Sequence, residues 1–381
     1  MRVFYTLSRY LVGLILIFSG AIKINDPVGT QIKLEEYFSL FSTDFTSIFE
    51  ILIPYALMIS VFLCCLEIVI GVALIINYRM RLISKILLGL IVFFTFLTFY
   101  SAFFNKVTDC GCFGDAIKLT PWQSFYKDLI LLSFSLIIYF LHSKLRYQDG
   151  FFKIKIFEDN VFKNGVIIFT SVISLVISYT AINFLPFIDF RPYKVGNYIP
   201  DLMQPSEVLK YSYIMEKNGR NYEFDNYPND ESFTFKEIKL LNPEAQPKIS
   251  DYSLWNEDGD FTNESFLGNK LFIVIHDVNK LGIDRRKINE FIIKLKKLKS
   301  DINFWVEPIV LTSSDSKSIS SFLDKHKISI KSIYGDATVL KTMIRSNPGF
   351  LLMRNGTVRG KWHFNKFPDP TEILSGVNIT F

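Results

Sequence analysis

Asp109-Cys110-Gly111-Cys112-Phe113-Gly114-Asp115 is a short polar break between two long apolar stretches, residues 86–104 and 122–141, and it holds two of the four cysteines of the chain. Two thiols one residue apart close only a small, strained ring, and strained disulfides are more oxidising and more labile than structural ones. The intervening Gly111 permits the backbone angles that such a ring needs. A thiol pair held at the edge of an apolar helical bundle is therefore the first reading, and the rest of the chain is read outward from it.

Five apolar stretches are near the roughly 20 residues that a bilayer-crossing helix needs: residues 3–22, 51–76, 86–104, 122–141 and 166–188. The first is read as retained rather than cleaved, because Lys23 follows it directly and no small-residue cleavage region is present. Arg2 and Arg9 flank its start, Arg79, Arg81 and Lys85 fill the connection from the second to the third, and Lys144, Arg146, Lys153, Lys155 and Lys163 fill that from the fourth to the fifth. Basic connections mark the cytoplasmic side. The expected topology has a cytoplasmic N-terminus in the plasma (inner) membrane, with Cys110, Cys112 and everything after residue 188 outside, where disulfides persist. The expected domains are a four-helix transmembrane module over 1–145, a cytoplasmic connector and fifth helix over 146–188, an extracytoplasmic connector with short strands over 189–246, and an α/β domain over 247–381. The net charge of +5 lies largely beside apolar stretches, and no basic stripe with interleaved aromatics indicates nucleic-acid binding.

From residue 247 the pattern alternates strand and helix. Residues 271–276, 305–311 and 328–333 read as strands, 284–299 and 315–326 as helices, and 349–353 with 357–362 as a hairpin turning at Asn355-Gly356.

Two groups of residues carry a resemblance. Arg9-Tyr10-Leu11-Val12-Gly13, Phe18-Ser19-Gly20, Lys23, Asp26-Pro27 and Glu36-Tyr37-Phe38, taken with the 109–115 stretch ahead of Trp122, make residues 1–145 resemble the MauE branch of the DoxX-like membrane proteins. That resemblance implies a multi-helix membrane module, help in forming disulfides in an exported protein, and a link to quinone chemistry. Residues 247–381 resemble thioredoxin-like domains of the TlpA and peroxiredoxin kind, through Pro247, Asp258-Gly259, the 271–276 strand and Asn347-Pro348-Gly349, with Pro348 matching the family's cis-proline. The domain departs from that family where a Cys-x-x-Cys should follow the first central strand. Asp277-Val278-Asn279-Lys280-Leu281-Gly282 stands there, and no cysteine follows Cys112. What remains available to it is docking of a thiol protein beside Pro348.

The candidate chemistry follows from these placements. Cys110 and Cys112 read as a redox pair, as a structural staple or, least well, as metal ligands, since Zn²⁺ takes four ligands and the four histidines are scattered. A thiolate needs a nearby cation, and Lys106 and Lys127 are the expected suppliers. Asp109 and Asp115 are expected to brace the loop through backbone hydrogen bonds or, in the lesser reading, to act as acid and base. Glu67 is the single charge in the second stretch and must be paired or functional; Arg9 is its expected partner, and proton uptake linked to a bound quinone is the alternative. Lys23 either snorkels to head groups or belongs to a 23–50 loop packed over the cysteines. Cys64 and Cys65 read as buried apolar residues, with a second relay pair as the rival. The overall expectation is a membrane thiol–disulfide redox protein acting on an exported thiol protein. The competing expectation is a non-catalytic membrane assembly factor with a stapled loop.

Overall fold

The structure is a computed structural model that describes all residues except 108–110, 145–158, 231, 282–284, 303–304 and 379–381. The chain divides into two compact units, Met1–Phe190 and Arg191–Phe381.

The first unit is helical: α1 (Arg2–Asn25), α2 (Pro27–Asp44), α3 (Ala56–Ile75), α4 (Met80–Phe104), α5 (Pro121–Lys144) and α6 (Asn160–Phe184), with a 3₁₀ segment Ser47–Tyr55 leading into α3. Among the described residues five helices are long and apolar enough to cross a membrane, the 3₁₀ segment and α3 counting as one. They match the five apolar stretches, but residues 23–50 are not a loop. Asp26 caps α2, its side chain accepting from the Gly29 N–H at 3.0 Å, with Pro27 at the first helical position. The helix buries a narrow apolar stripe of Leu34, Tyr37, Phe38 and Phe41, too thin a signal to stand out amid the polar residues around it.

Small residues set how α1 and α3 cross. A methyl group on Gly13 would come within 2.9 Å of the Gly71 carbonyl oxygen, and one on Gly71 within 2.7 Å of that of Gly13. One level along, Gly20 meets the Cys64 carbonyl and the Ile68 side chain. Glycine at these contacts lets two backbones approach, the main source of helix association where lipid removes any hydrophobic gain. The same contacts fix an antiparallel register in which residue 13 faces 71 and residue 20 faces 64. Large apolar side chains such as Phe62, Ile130, Phe169 and Val176 face outward, as they do on lipid-exposed helices.

Asn25 at the end of α1 ties down the chain leaving α6: its Nδ2 donates to the Ile188 carbonyl at 2.7 Å, and its Oδ1 accepts from the Ile188 N–H at 3.0 Å. The chain thus leaves this unit at the end of the bundle where α1 finishes.

The second unit opens with the short helix α7 (Ile199–Leu202) and an antiparallel sheet of β1 (Tyr211–Lys217), β2 (Arg220–Phe224) and β3 (Thr234–Leu240) in the order β2-β1-β3. There follow β4 (Leu254–Asn256), β5 (Gly259–Asp260), α8 (Thr262–Ser265), β6 (Asn269–Ile275), α9 (Arg285–Ile302), β7 (Glu307–Thr312), α10 (Ser316–Lys325), β8 (Lys331–Gly335), α11 (Ala337–Met343), β9 (Gly349–Arg354), β10 (Thr357–His363) and α12 (Pro370–Gly376). Strands β4–β10 form one sheet in the order β10-β9-β6-β7-β8-β4-β5, with β6, β7 and β8 parallel and β9 antiparallel to both β6 and β10. The continuous apolar runs of β6 and β9 are the fully buried centre, as strands covered on both faces must be. Positive φ at both Asn355 (45°) and Gly356 (75°) makes the tight β9–β10 turn expected of that dipeptide. The strands and helices read from periodicity are present within a few residues; α11 and α12, each only two turns long, carry too few repeats to be read that way.

Candidate functional site

Cys112 lies in the loop that joins α4 to α5. Gly111 and Gly114 adopt positive φ (66° and 51°), and Gly114 N–H donates to the Gly111 carbonyl at 3.1 Å, closing a tight turn around the cysteine. The turn rests on α1. Ser19 Oγ is 2.9 Å from the Cys112 carbonyl oxygen, the Phe113 ring packs at a tilt against that of Phe18 with centroids 5.8 Å apart, and Gly114 approaches Ile22. Gly111 sits against the aliphatic part of Lys33 on α2. Asp109 and Cys110 lie outside the described residues. Asp115 is half-buried in the same turn.

Directly beneath is a buried ion pair. Lys23 Nζ is 2.6 Å from Glu67 Oε1, the side chains being only 8% and 1% exposed. Ser19 Oγ is 2.9 Å from Glu67 Oε2, so one hydroxyl stands between the carboxylate of α3 and the cysteine loop. The Lys23 ammonium also lies over the Phe94 ring, 4.8 Å from its centroid, and within electrostatic range of the Cys112 and Cys64 thiols.

Three sequence expectations need correction. The partner of Glu67 is Lys23, not Arg9. In the antiparallel register, residue 9 stands level with the end of α3, and Arg9 donates from Nε to the Leu74 carbonyl at 2.8 Å and from Nη2 to that of Ile75 at 3.2 Å. It thereby satisfies carbonyls that the helix end leaves open. Lys23 consequently does not reach for head groups. Of the two expected cation suppliers, Lys106 is engaged with Asp44, whereas Lys127 stays beside the cysteine turn. Lys106 bonds both carboxylate oxygens of Asp44, at 2.6 and 2.5 Å, and Tyr100 bonds the same carboxylate. Lys127 pairs with Asp128 at 2.9 Å and touches the loop through the face of Phe113, 5.1 Å from the ring centroid.

Cys64 is fully buried, its Sγ 3.9 Å from Thr30 Oγ1 of α2, while Cys65, in the same apolar cluster, turns its thiol toward Ser178 of α6. Adjacent residues on a helix diverge in this way, and the two thiols do not form a pair. Sequence reasoning missed Ser19 and the role of Lys23. The one available signal was their spacing of four on α1, which puts both on one helical face. Among the described residues no group of three or more His, Cys, Asp or Glu is placed to hold a metal ion.

In the second unit, the segment that replaces Cys-x-x-Cys is tied down. The Asn347–Pro348 peptide is cis. Asn347 Oδ1 accepts from the His276 N–H at 3.0 Å, and its Nδ2 donates to the carbonyls of Asp277 at 3.1 Å and Lys280 at 2.9 Å. Ser314 Oγ accepts from the Val278 N–H at 2.9 Å. His276 is half-buried with Nε2 3.2 Å from the Leu340 carbonyl; desolvation of the ring, aided by Lys341 and Arg345, pushes its pKa down to about 4.

Residues 1–141 match the family described as methylamine utilisation protein MauE, which bears out the resemblance read from the motifs of that stretch. The five apolar helices and this family match make the chain a multi-pass membrane protein. A protein named Protein TlpB from Flavobacterium psychrophilum is 29% identical over 153 residues, covering 39% of this chain and 39% of the relative. The match therefore spans about two fifths of that relative's length. No solved structure matches.

Proposed function

We propose that the chain is a membrane thiol–disulfide redox protein whose Cys110 and Cys112 exchange electrons with thiols of an exported protein. The MauE match and the partial likeness to a TlpB support a membrane redox role. The observation that carries the finer reading is the seat of the Cys112 turn: its carbonyl meets Ser19 above a buried ammonium at the end of the helical bundle. A cation beside a thiol favours the thiolate, which is the attacking species in exchange. In the oxidising direction, a partner thiolate attacks the Cys110–Cys112 bond and forms a mixed disulfide. The partner's second thiolate then displaces it, leaving a partner disulfide and a reduced pair that has taken up two electrons and two protons.

A quinone as the eventual acceptor is implied by the DoxX-like resemblance. Glu67 does not fit as its ligand, because it is buried and each of its oxygens is already bonded, one by Lys23 and one by Ser19.

The second unit reads as thioredoxin-like on its strand order, on the antiparallel β9–β10 hairpin beside β6, and on the cis peptide at Pro348. Without a cysteine it serves to dock the partner rather than to exchange with it. The chain leaves the helical unit at the end of the bundle that holds the Cys112 turn, which supports an extracytoplasmic side for both, opposite a cytoplasmic N-terminus.

The test is a Cys112→Ser variant in intact membranes, which leaves Cys110 to form mixed disulfides that cannot be resolved. Trapped exported thiol proteins are the expected result. No trapped partner, with exported proteins keeping their normal thiol state in a Cys110→Ala/Cys112→Ala variant, refutes the reading and favours an assembly factor. The immobilised 277–280 segment is the observation that favours this second reading.

A further inference from the structure

The positive charge of the second unit is concentrated on one helix. Residues 191–381 hold 27 Lys and Arg against 24 Asp and Glu. Helix α9 has seven of those bases and two of those acids, so the rest of the unit is slightly acidic. The helix buries Phe291, Ile292, Leu295, Leu298 and Ile302 in the core. Lys294, Lys296 and Lys297 lie between those positions and are exposed, as the polar side of an amphipathic helix is.

The surroundings leave this face basic. Glu290 is 2.7 Å from Lys294, but the pair is exposed on both sides, and such pairs are worth little. Asp369, the cap of α12, is within electrostatic range of Lys297. On the other flank Lys296 and Lys325 of α10 both act on the imidazole of His326, so like charges converge across that seam. Gathered like charges repel and favour an anion from outside. Apolar groups are exposed beside them. Ile293 is 68% exposed, one turn before Lys296 and Lys297, and Trp305, whose N–H bonds the Ile302 carbonyl at 2.8 Å just past the helix, is 42% exposed. Lysines around an outward aliphatic residue and a tryptophan are the composition of surfaces that rest on a bilayer.

The chain keeps an anionic surface within reach. Helix α6 ends at Phe184 and the second unit begins at Arg191, so the intervening chain spans at most about 20 Å when extended. A tether that short holds lipid head groups at high local concentration. A soluble acidic protein has no such advantage.

We propose that the outward face of α9 is a docking surface for anionic lipid head groups and holds the second unit to the bilayer in which α6 is anchored. Lys294, Lys296 and Lys297 meet the lipid phosphates, and Ile293 and Trp305 enter the head-group layer. The attraction acts within a screening length of the surface. None of this draws on the redox reading.

The test acetylates the full-length protein briefly with sulfo-N-hydroxysuccinimide acetate in lipid nanodiscs and reads each lysine by peptide mass spectrometry. Discs of phosphatidylcholine alone are compared with discs that are about one-third phosphatidylglycerol. In the anionic discs Lys294, Lys296 and Lys297 are expected to react about fivefold more slowly, the ratio to which one lysine's attraction to such a surface corresponds. Lys217 and Lys236, on β1 and β3, are the references and are expected to change little. Salt at about 0.5 M shortens the screening length to about 4 Å and is expected to restore the rates. Lys296→Glu/Lys297→Glu, on exposed positions, is expected to release Lys294 in anionic discs, whereas Lys296→Arg/Lys297→Arg keeps it protected. Equal rates in the two kinds of disc overturn the proposal without any variant. Protection that persists in phosphatidylcholine and in high salt also overturns it, because something other than anionic lipid then covers the face. Protection that appears only when exported proteins are added assigns the face to an acidic protein instead. Lys294 protection that survives the charge reversal likewise counts against lipid docking.

Discussion

Removing either member of the Lys23–Glu67 pair is expected to destabilise the helical unit far more than removing both. The two side chains are 8% and 1% exposed and 2.6 Å apart. At that separation the gross attraction is about 6 kcal/mol for an effective dielectric constant of about 20, most of which is offset by the cost of taking both charges out of water. Breaking such a pair from one side leaves an uncompensated buried charge and costs about 3–5 kcal/mol. Lys23→Met and Glu67→Leu are each expected to lose stability in that range. The double variant, with no charge left to bury, is expected to fall within about 1–2 kcal/mol of the natural protein. The coupling in the double-mutant cycle is therefore several kcal/mol, well above the few tenths found for independent sites. Reversible unfolding in mixed micelles, followed by helix circular dichroism, measures all four proteins. Additive losses would refute the reasoning, since they would mean that the two charges do not depend on each other. Equal stability of all four would show that water or lipid head groups reach the site.

Two further outcomes concern the second unit. The His276 imidazole titrates to about 4 when folded, against an ordinary 6.5, so the unfolded chain binds more protons between those values. Stability is full above about pH 6.5 and is lost by up to about 1.4 kcal/mol per pH unit on going down toward 4; hydrogen exchange of β6 and β9 in the intact protein, corrected for intrinsic rates, checks this, and His276→Gln should flatten the slope. Asn347→Ala removes three hydrogen bonds to residues 276–280 and should loosen that segment by about 2 kcal/mol, a roughly thirtyfold faster exchange of its amides; unchanged exchange would mean that Asn347 does not hold it.

Helical periodicity and length made five of the six long helices of the first unit legible. The sixth, α2, was hidden because beyond Pro27 it buries only Leu34, Tyr37, Phe38 and Phe41. The alternation of apolar strands with amphipathic helices likewise revealed β6 to α10, and Asn355-Gly356 revealed the turn between β9 and β10. The candidate site was half legible. A cysteine turn between two apolar stretches stood out as local chemistry, and Glu67 stood out as a charge that must be explained.

Which cation answers that carboxylate was a different kind of question. Arg9 was the expected partner, and nothing on a one-dimensional chain preferred Lys23 to it, because composition and spacing describe each helix alone. The close glycine contact of Gly13 with Gly71 set the register of α1 against α3, and that register brought Lys23 and Ser19 to Glu67 while sending Arg9 to the end of α3. Local pattern is written residue by residue in the sequence. Long-range pairing depends on how far two packed helices slide along one another, a quantity that exists only once they touch.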